Sequence, residues 1–306
     1  MSHDTLLQPG WRATRRAVNG LRLHVVEAGP ESGPLLILLH GFPEFWWAWR
    51  HQITPLAERG YRVAVPDMRG YDLSDAPEGV SAYQVRTLAA DVAALADGYG
   101  AERFHLVGHD WGGVVAWEAG ARYPERLERL VVLDAPHPAV WTRQALAHPT
   151  QALRSAYVAF FQAPFLPEAA LSAFGYRALR ASMTGSARPG TFGTEDLDRY
   201  VEAWRRPGRL TAMLNYYRAL RLREAGAPAR VVPPTLVLWG EQDSFLEHHL
   251  ARASADQCEQ GQLMVVAGTT HWLHLEEPGR VAEEIGRFLD GRDVAAAVGN
   301  SLTPPG

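Results

Sequence analysis

The chain has 306 residues, 47% hydrophobic and 21% charged, which is enough to bury a large core in one domain or in a domain with an insertion. The net charge of −4, with no block of like charge, argues against a nucleic-acid-binding surface. No apolar stretch reaches the roughly 18 residues of a membrane span, no signal peptide is visible, and the single cysteine, Cys258, cannot form an internal disulfide. We therefore expect a cytoplasmic protein without a transmembrane segment or a nucleic-acid partner.

The first part of the chain alternates between predicted strands and predicted helices. The turn Asn19-Gly20 predicts a hairpin between strands at 12–17 and 21–27. Apolar runs and helical spacing then predict, in order, a strand at 34–39, a helix at 47–59, a strand at 61–66, a helix at 88–99, a strand at 104–107, a helix at 114–120 and a strand at 130–134. This alternation predicts an α/β fold, a mostly parallel sheet with helices on both faces.

The alternation stops after Pro138. The next predicted elements are helices only, at 151–162, at 194–206 with Thr194 as N-cap, and at 210–223. Strands at 234–239 and 262–266 and a helix at 281–289 then resume the first pattern. We therefore predict a core of residues 1–138 and 226–291, an inserted all-helical cap of residues 139–225, and a disordered tail of residues 292–306.

The stretch Gly108-His109-Asp110-Trp111-Gly112 lies between a predicted buried strand and a predicted helix. The pattern G-x-D-x-G is that of a nucleophile elbow, a sharp strand-to-helix turn that exposes its central side chain at the carboxyl end of the sheet. Asp110 is already ionised there and needs no base to act as a nucleophile. The motif by itself leaves open an ordinary turn in which Asp110 only caps the helix.

Two further stretches place an acid and a histidine directly after predicted strands. Asp243 follows the strand at 234–239, and His271 follows the strand at 262–266. The chain order nucleophile, acid, histidine is that of the α/β hydrolases, and open α/β sheets build their sites at the carboxyl ends of strands. We predict His271 as general base, oriented by Asp243. Asp134, which also follows a strand, is a second candidate for the acid.

The segment His40-Gly41-Phe42-Pro43 follows the strand expected to lie beside the elbow. A backbone N–H from such a loop and the N–H after the nucleophile form the usual oxyanion hole of this fold. The prediction is therefore an oxyanion hole made by the amides of Phe42 and Trp111. His40 is predicted to be a structural hydrogen-bonding residue.

These motifs resemble the epoxide hydrolases of the α/β-hydrolase fold, most closely the animal enzymes without a phosphatase domain and their bacterial relatives. The resemblance runs from about residue 20 to 290. Two cap segments, 157–162 and 215–218, extend it. It implies that Tyr157 and Tyr217 donate hydrogen bonds to the epoxide oxygen. The chain departs from this pattern at Asp134, where many relatives carry Asn, and at Asp72, where Gly is usual.

The resemblance implies an enzyme that converts an apolar epoxide to a vicinal diol through a covalent ester on Asp110, with water activated by His271. It implies no cofactor and no metal, and it places Phe42, Trp111 and Trp272 against the substrate. The first alternative is a haloalkane or haloacetate dehalogenase, which uses the same ester chemistry. The second is a non-catalytic small-molecule receptor on a hydrolase fold. A serine esterase does not fit, because the elbow has no Ser.

Overall fold

The structure, a computed structural model, describes residues 6–147, 149–222 and 230–292. These residues form one eight-stranded sheet. Its strands are β1 (Arg12–Val18), β2 (Leu21–Ala28), β3 (Leu35–Leu39), β4 (Arg62–Pro66), β5 (Phe104–His109), β6 (Leu127–Leu133), β7 (Thr235–Gly240) and β8 (Gly261–Val266). They lie in the order β1-β2-β4-β3-β5-β6-β7-β8. Because only β2 pairs antiparallel, with β1 and β4, the predicted mostly parallel α/β sheet is confirmed.

The described helices are α1 (Ile53–Glu58), α2 (Val85–Gly98), α3 (Trp111–Arg122), α4 (Pro138–Ala147), α5 (Pro149–Arg154), α6 (Ala156–Phe161), α7 (Leu166–Ser186), α8 (Thr194–Trp204), α9 (Arg209–Ala219), α10 (His249–Ala255), α11 (Leu273–Glu276) and α12 (Pro278–Leu289). Helices α4 to α9 follow one another between β6 and β7, and we call this segment the cap. Its described part contains no strand beyond an isolated bridge at Val231. The division into core and cap stays a prediction, and from residue 293 onward the predicted tail lies outside the described residues.

Two apolar runs of the sequence form the buried central strands of the sheet, β3 and β5. All five residues of β3 (Leu35–Leu39) are buried, because β4 and β5 pair with it on either side and its side chains point to both faces. β5 is buried along its whole length as well. Since β3 and β5 are parallel neighbours, the loops at their carboxyl ends meet at one edge of the sheet.

The helix predicted at 47–59 is wrong as a single element. The chain forms a 3₁₀ turn at Trp46–Trp49, and α1 begins only at Ile53. Pro55 explains the break, because proline lacks an N–H donor and is tolerated in the first turn of a helix but not in its interior. The three indoles of the turn are buried instead in the core.

The cap also differs from the prediction in detail. The helix predicted at 151–162 is two helices, α5 and α6, separated at Ser155. Gly193 rather than Thr194 has the extended backbone of an N-cap, so Thr194 is the first helical residue. Helix α7 was not predicted, and it consists of two helical pieces joined by a kink at Ala173–Tyr176, where three consecutive residues have a positive φ. None of the helices in the described ranges has the length and apolarity needed to cross a membrane.

Candidate active site

Asp110 lies at the sharp turn between β5 and α3, with a strained φ of 49° and ψ of −117°. The turn is possible because strand and helix approach closely at Gly112, where an added Cβ would lie 2.3 Å from the Leu39 carbonyl oxygen. A Cβ on Gly41 would lie 2.5 Å from the Asp110 Cβ. Glycine at both positions therefore allows the loop after β3 to pack against the Asp110 side chain.

The His271 ring lies between the carboxylates of Asp243 and Asp110. The Nδ1 atom of His271 is 2.8 Å from Oδ2 of Asp243, and its Nε2 atom is 3.7 Å from Oδ2 of Asp110. The other Asp243 oxygen accepts hydrogen bonds from the backbone N–H groups of Phe245 and Leu246, at 2.7 and 3.0 Å. Burial opposes a charge on His271, but Asp243 and Asp110 outweigh it and hold the pKa of His271 well above its usual value. The two neighbouring carboxylates therefore favour the protonated, imidazolium form of His271.

Asp134, the second candidate for the acid, makes a different contact. Its Oδ1 atom accepts a hydrogen bond from the Gly240 N–H at 2.8 Å, and its carboxyl group is fully buried. Burial and the charge on Asp243 raise the pKa of Asp134 well above its usual value. The structure thus brings Asp243 to the His271 ring, and burial beside Asp243 favours the protonated form of Asp134.

The predicted oxyanion amides lie on the other side of Asp110. The Phe42 N–H donates a hydrogen bond to Oδ1 of Asp110 at 2.7 Å. Trp111 is the first residue of α3, so its N–H belongs to the unsatisfied donors of a helix N-terminus, where negative charge is stabilised. One Asp110 oxygen therefore faces hydrogen-bond donors, and the other faces His271.

The two cap tyrosines face this carboxylate from α6 and α9. The ring centroids of Tyr157 and Tyr217 are 5.8 Å apart, and the Tyr217 ring meets the rings of Phe42 and Trp111 edge-on at 5.2 and 5.0 Å. Burial, with a smaller contribution from Asp110, raises the pKa of Tyr157. Burial and the neighbouring Tyr157 raise the pKa of Tyr217 further. Both phenols are therefore protonated hydrogen-bond donors at neutral pH.

These side chains line one cavity of about 490 Å³ between core and cap. The three predicted substrate contacts, Phe42, Trp111 and Trp272, all lie in its wall. Among the residues that the structure describes, no arginine lines it. The polar side chains of its described lining are those of Asp110, Asp134, Thr142, Ser155, Tyr157, Ser182, Tyr217 and His271. The cavity therefore suits an apolar molecule with one small polar group at the Asp110 end.

Comparisons with known sequences agree with this geometry. The sequence profile of the alpha/beta hydrolase fold family matches residues 34–278. Epoxide hydrolase 4 of Mus musculus is 40% identical over 277 residues, which cover 89% of this chain and 77% of the mouse protein. The chain belongs to the epoxide hydrolases of the α/β-hydrolase family. The AB hydrolase superfamily protein YfhM of Bacillus subtilis is 46% identical over 272 residues, 89% of this enzyme and 95% of the bacterial protein.

Solved structures of the family superpose on most of the enzyme. Epoxide hydrolase A of Mycobacterium thermoresistibile matches with a TM-score of 0.80 and 31% identity over 93% of this chain and all of that one. The Bacillus megaterium epoxide hydrolase in complex with an inhibitor matches with a TM-score of 0.82 and 27% identity, over 90% and 100% of the two chains. The predicted α/β-hydrolase fold and the resemblance to epoxide hydrolases are thereby confirmed.

The sequence did not lead us to a buried hydrogen-bonded cluster beneath the triad. Glu44 accepts hydrogen bonds from the Gly41 N–H at 3.1 Å, from His109 at 2.9 Å and from His274 at 3.2 Å. The second ring nitrogen of His109 donates to the carbonyl of His271 at 2.9 Å. The cluster therefore connects the His40–Pro43 loop to the backbone of His271. Glu44 and His109 adjoin the His40–Pro43 motif and the nucleophile, which is the signal that could have found them.

Two groups of buried side chains have a spacing that could hold a metal ion. They are Glu44, His109 and His274, and His109, Asp134 and His271. In the first group the facing atoms are already hydrogen-bonded to one another. In the second, His271 is engaged by Asp243. That the enzyme needs neither a metal nor a cofactor stays a prediction.

We expect Asp243→Asn to cost far more activity than Asp134→Asn. Asparagine at 243 cannot hold His271 in the tautomer and charge state that the base needs, and such a change costs up to about 10⁴-fold in a related triad. Asparagine at 134 keeps an oxygen for the Gly240 N–H, so we expect a loss of no more than about tenfold. Steady-state turnover of both variants measures the difference, and the reverse order would identify Asp134 as the acid.

Proposed function

We propose that this epoxide hydrolase converts apolar epoxides to vicinal diols through an ester on Asp110. The observation that carries the proposal is one cavity in which the carboxylate of Asp110 faces two neutral phenols, Tyr157 and Tyr217. A carboxylate is a nucleophile without a base, and a phenol can donate the proton that a breaking C–O bond requires.

In the first step an Asp110 oxygen attacks an epoxide carbon. The C–O bond of the ring breaks, and the released oxygen takes a proton from Tyr157 or Tyr217, while the second phenol stabilises the developing charge by a hydrogen bond. The product is a hydroxyalkyl ester of Asp110 and one tyrosinate. The tyrosinate is reprotonated by the proton that His271 releases in the second step, so the cycle needs no reactant other than epoxide and water.

In the second step water attacks the carbonyl carbon of the ester. Ester formation removes the negative charge of Asp110, one of the two charges that hold the His271 pKa high, so His271 can release its proton and act as base. The oxyanion on the former Asp110 carboxylate accepts from the amides of Phe42 and Trp111. The C–O bond to the substrate then breaks, His271 protonates the leaving oxygen, and the water oxygen remains on Asp110.

The cavity wall limits the substrate class. Its aromatic and aliphatic lining favours apolar epoxides. The described lining contains no arginine that could offset the negative charge of Asp110, so the binding of anionic substrates is disfavoured. This also disfavours a haloacetate dehalogenase. Epoxide and water are then the only reactants, with no cofactor. We place the enzyme in the cytoplasm, a proposal supported by the free thiol of buried Cys258.

A turnover assay with matched substrates tests the proposal. An apolar aryl or alkyl epoxide is compared with the haloalkane of the same carbon skeleton and with the corresponding acetate ester. We expect diol formation from the epoxide, and halide release or ester cleavage at no more than about a hundredth of that rate. The reason is that the two phenols assist only the opening of the epoxide, and a positioned acid usually contributes at least about 10²-fold. Faster release of halide than of diol would favour the dehalogenase, and binding without turnover would favour the receptor.

A further inference from the structure

The helix that carries Tyr217, α9, packs on several parts of the core, and the loop that follows β4 is one of them. The loop consists of Arg69–Asp72 and follows β4, and we call it the α9-seat loop. The hydroxyl of Tyr216 donates to the Arg69 carbonyl at 2.7 Å. A Cβ added to Gly70 would lie 2.7 Å from the Cβ of Ala212, so the loop backbone lies directly against α9. The α9-seat loop therefore helps to position α9, together with the rings of Phe42, Tyr83 and Trp111.

Asp72 makes the charged contact of this loop with the cap. Its Oδ1 atom lies 2.7 Å from Nε of Arg206, which lies in the turn between α8 and α9. Its carbonyl oxygen accepts a hydrogen bond from Nε of Arg209, the first residue of α9, at 2.7 Å. The Asp72 side chain is fully buried and that of Arg206 is 32% exposed. Such a partly buried, charge-assisted hydrogen bond is stronger and more directional than a surface ion pair.

The same loop is fixed on its other side to the segment that carries the oxyanion amide. The ring of Tyr71 packs edge-on against His40, with ring centroids 4.6 Å apart, and against Tyr216 at 5.3 Å. His40 in turn accepts a hydrogen bond from the Met68 N–H at 3.0 Å. Core contacts therefore fix the position of the α9-seat loop relative to the segment that contains Phe42. Asp72 in turn connects the loop to Arg206, just before α9.

We propose that Asp72 is a positioning residue that places the Tyr217 hydroxyl over Asp110 and so controls the rate of ester formation. The inference rests on the proposed function, because Tyr217 has a role only in opening the epoxide. Hydrolysis of the ester uses His271 and the oxyanion amides and does not need Tyr217. Asp72 therefore acts on one of the two chemical steps and not on the other.

Glycine at position 72 tests the side chain without disturbing the backbone. Asp72 has a φ of 34°, in the left-handed region that glycine adopts most easily. Asp72→Gly therefore removes the contact with Arg206 and relieves backbone strain. Asp72→Asn keeps an oxygen acceptor without the charge. Arg206→Gln weakens the same contact by changing the other partner. Because the Arg206 side chain is partly exposed, this change leaves the core intact.

The pH supplies a second readout. Burial, with the neighbouring charge of Asp67, raises the pKa of Asp72 to about 7. The charged and titratable groups that face it are Asp67, His24 on β2, Arg206 and Arg209. Below that pH Asp72 is protonated and resembles asparagine, so the ratio of the wild-type to the Asp72→Asn ester-formation rate should fall toward one. Titrations of Asp110 and His271 cancel in this ratio because both proteins share them.

The experiment measures the two steps separately on the full chain. Enzyme in excess over an apolar epoxide is quenched at intervals, and intact mass gives the rates at which the ester forms and decays. A misplacement of about 1 Å can cost about 10²-fold. We therefore expect Asp72→Gly to form ester about 10- to 100-fold more slowly, Asp72→Asn and Arg206→Gln to lose less, and ester decay to stay within about twofold.

Asp198→Asn is the matched control. It removes a carboxylate of the cap that pairs with Arg180, away from the α9-seat loop, and should change neither rate. Equal rates of ester formation in wild type, Asp72→Gly and Arg206→Gln would overturn the inference. So would an equal fall of both steps in the Asp72 variants, which is the mark of general destabilisation. If wild type forms no ester at all, the proposed function fails first, and the two failures are thereby distinguished.

Discussion

Replacing Tyr157 and Tyr217 together with phenylalanine should slow ester formation on Asp110 by about 10²–10⁴-fold, the usual contribution of a positioned acid. The rings and their packing remain, and only the donors are lost. The epoxide oxygen would then leave as an alkoxide inside a cavity whose described lining is mostly apolar, without the two phenols that could protonate it. Either single variant should retain more activity, since the remaining phenol can still donate.

Pre-steady-state quenching of the double variant measures this step directly. Tyr176→Phe is the matched control, because Tyr176 is a cap tyrosine whose hydroxyl donates to the Trp204 carbonyl at 3.3 Å and which is absent from the cavity wall. It should form ester at the wild-type rate. A double variant that also alkylates at the wild-type rate would show that the two phenols only pack, and the epoxide mechanism would lose its acid.

Replacing His271 with glutamine should stop turnover while ester formation continues. The Asp110 carboxylate needs no base to attack, whereas the water in the second step does. We expect consumption of one epoxide per enzyme, followed by diol release slowed by about 10²–10⁴-fold. Glutamine also fills the space beside Asp243, so the acid is not left facing an empty cavity.

Single-turnover substrate consumption checks this result. His51→Gln, a change at an exposed histidine outside the cavity wall, should behave as wild type. If His271→Gln consumes no epoxide although it still binds it, His271 acts before the ester, for example by activating water to attack the epoxide directly. If it turns over at the wild-type rate, another group is the base.

The parts of the site that sequence predicted are those that local chemistry determines. The apolar run Leu35–Leu39 is typical of a strand covered on both faces, and the structure has it as one. Glycines 108 and 112 around Asp110 specify a turn in which helix and strand nearly touch. The carboxyl ends of neighbouring parallel strands lie at the same edge of the sheet, so the sequence could predict that residues following separate strands lie close together. Asp243 and His271 do lie within hydrogen-bonding distance of each other.

The parts that sequence did not predict depend on contacts between distant segments. Glu44 meets His274 across 230 residues, and Asp72 meets Arg206 across 134. In the sequence nothing distinguishes these side chains from other polar residues, because their partners are distant in the chain and become neighbours only in the folded structure. Helix α7 was missed because its backbone is kinked and not helical at Ala173–Tyr176, which breaks the helical periodicity that would reveal it.

The ester on Asp110 is the central claim, and peptide mapping of His271→Gln tests it most directly. The variant is incubated with an apolar epoxide, quenched, digested and analysed by mass spectrometry. We predict that the peptide containing Asp110 gains the mass of one substrate molecule, and that the double variant Asp110→Ala with His271→Gln gains none. An unmodified Asp110 peptide after full consumption of one equivalent, or the added mass on another peptide, would contradict the account.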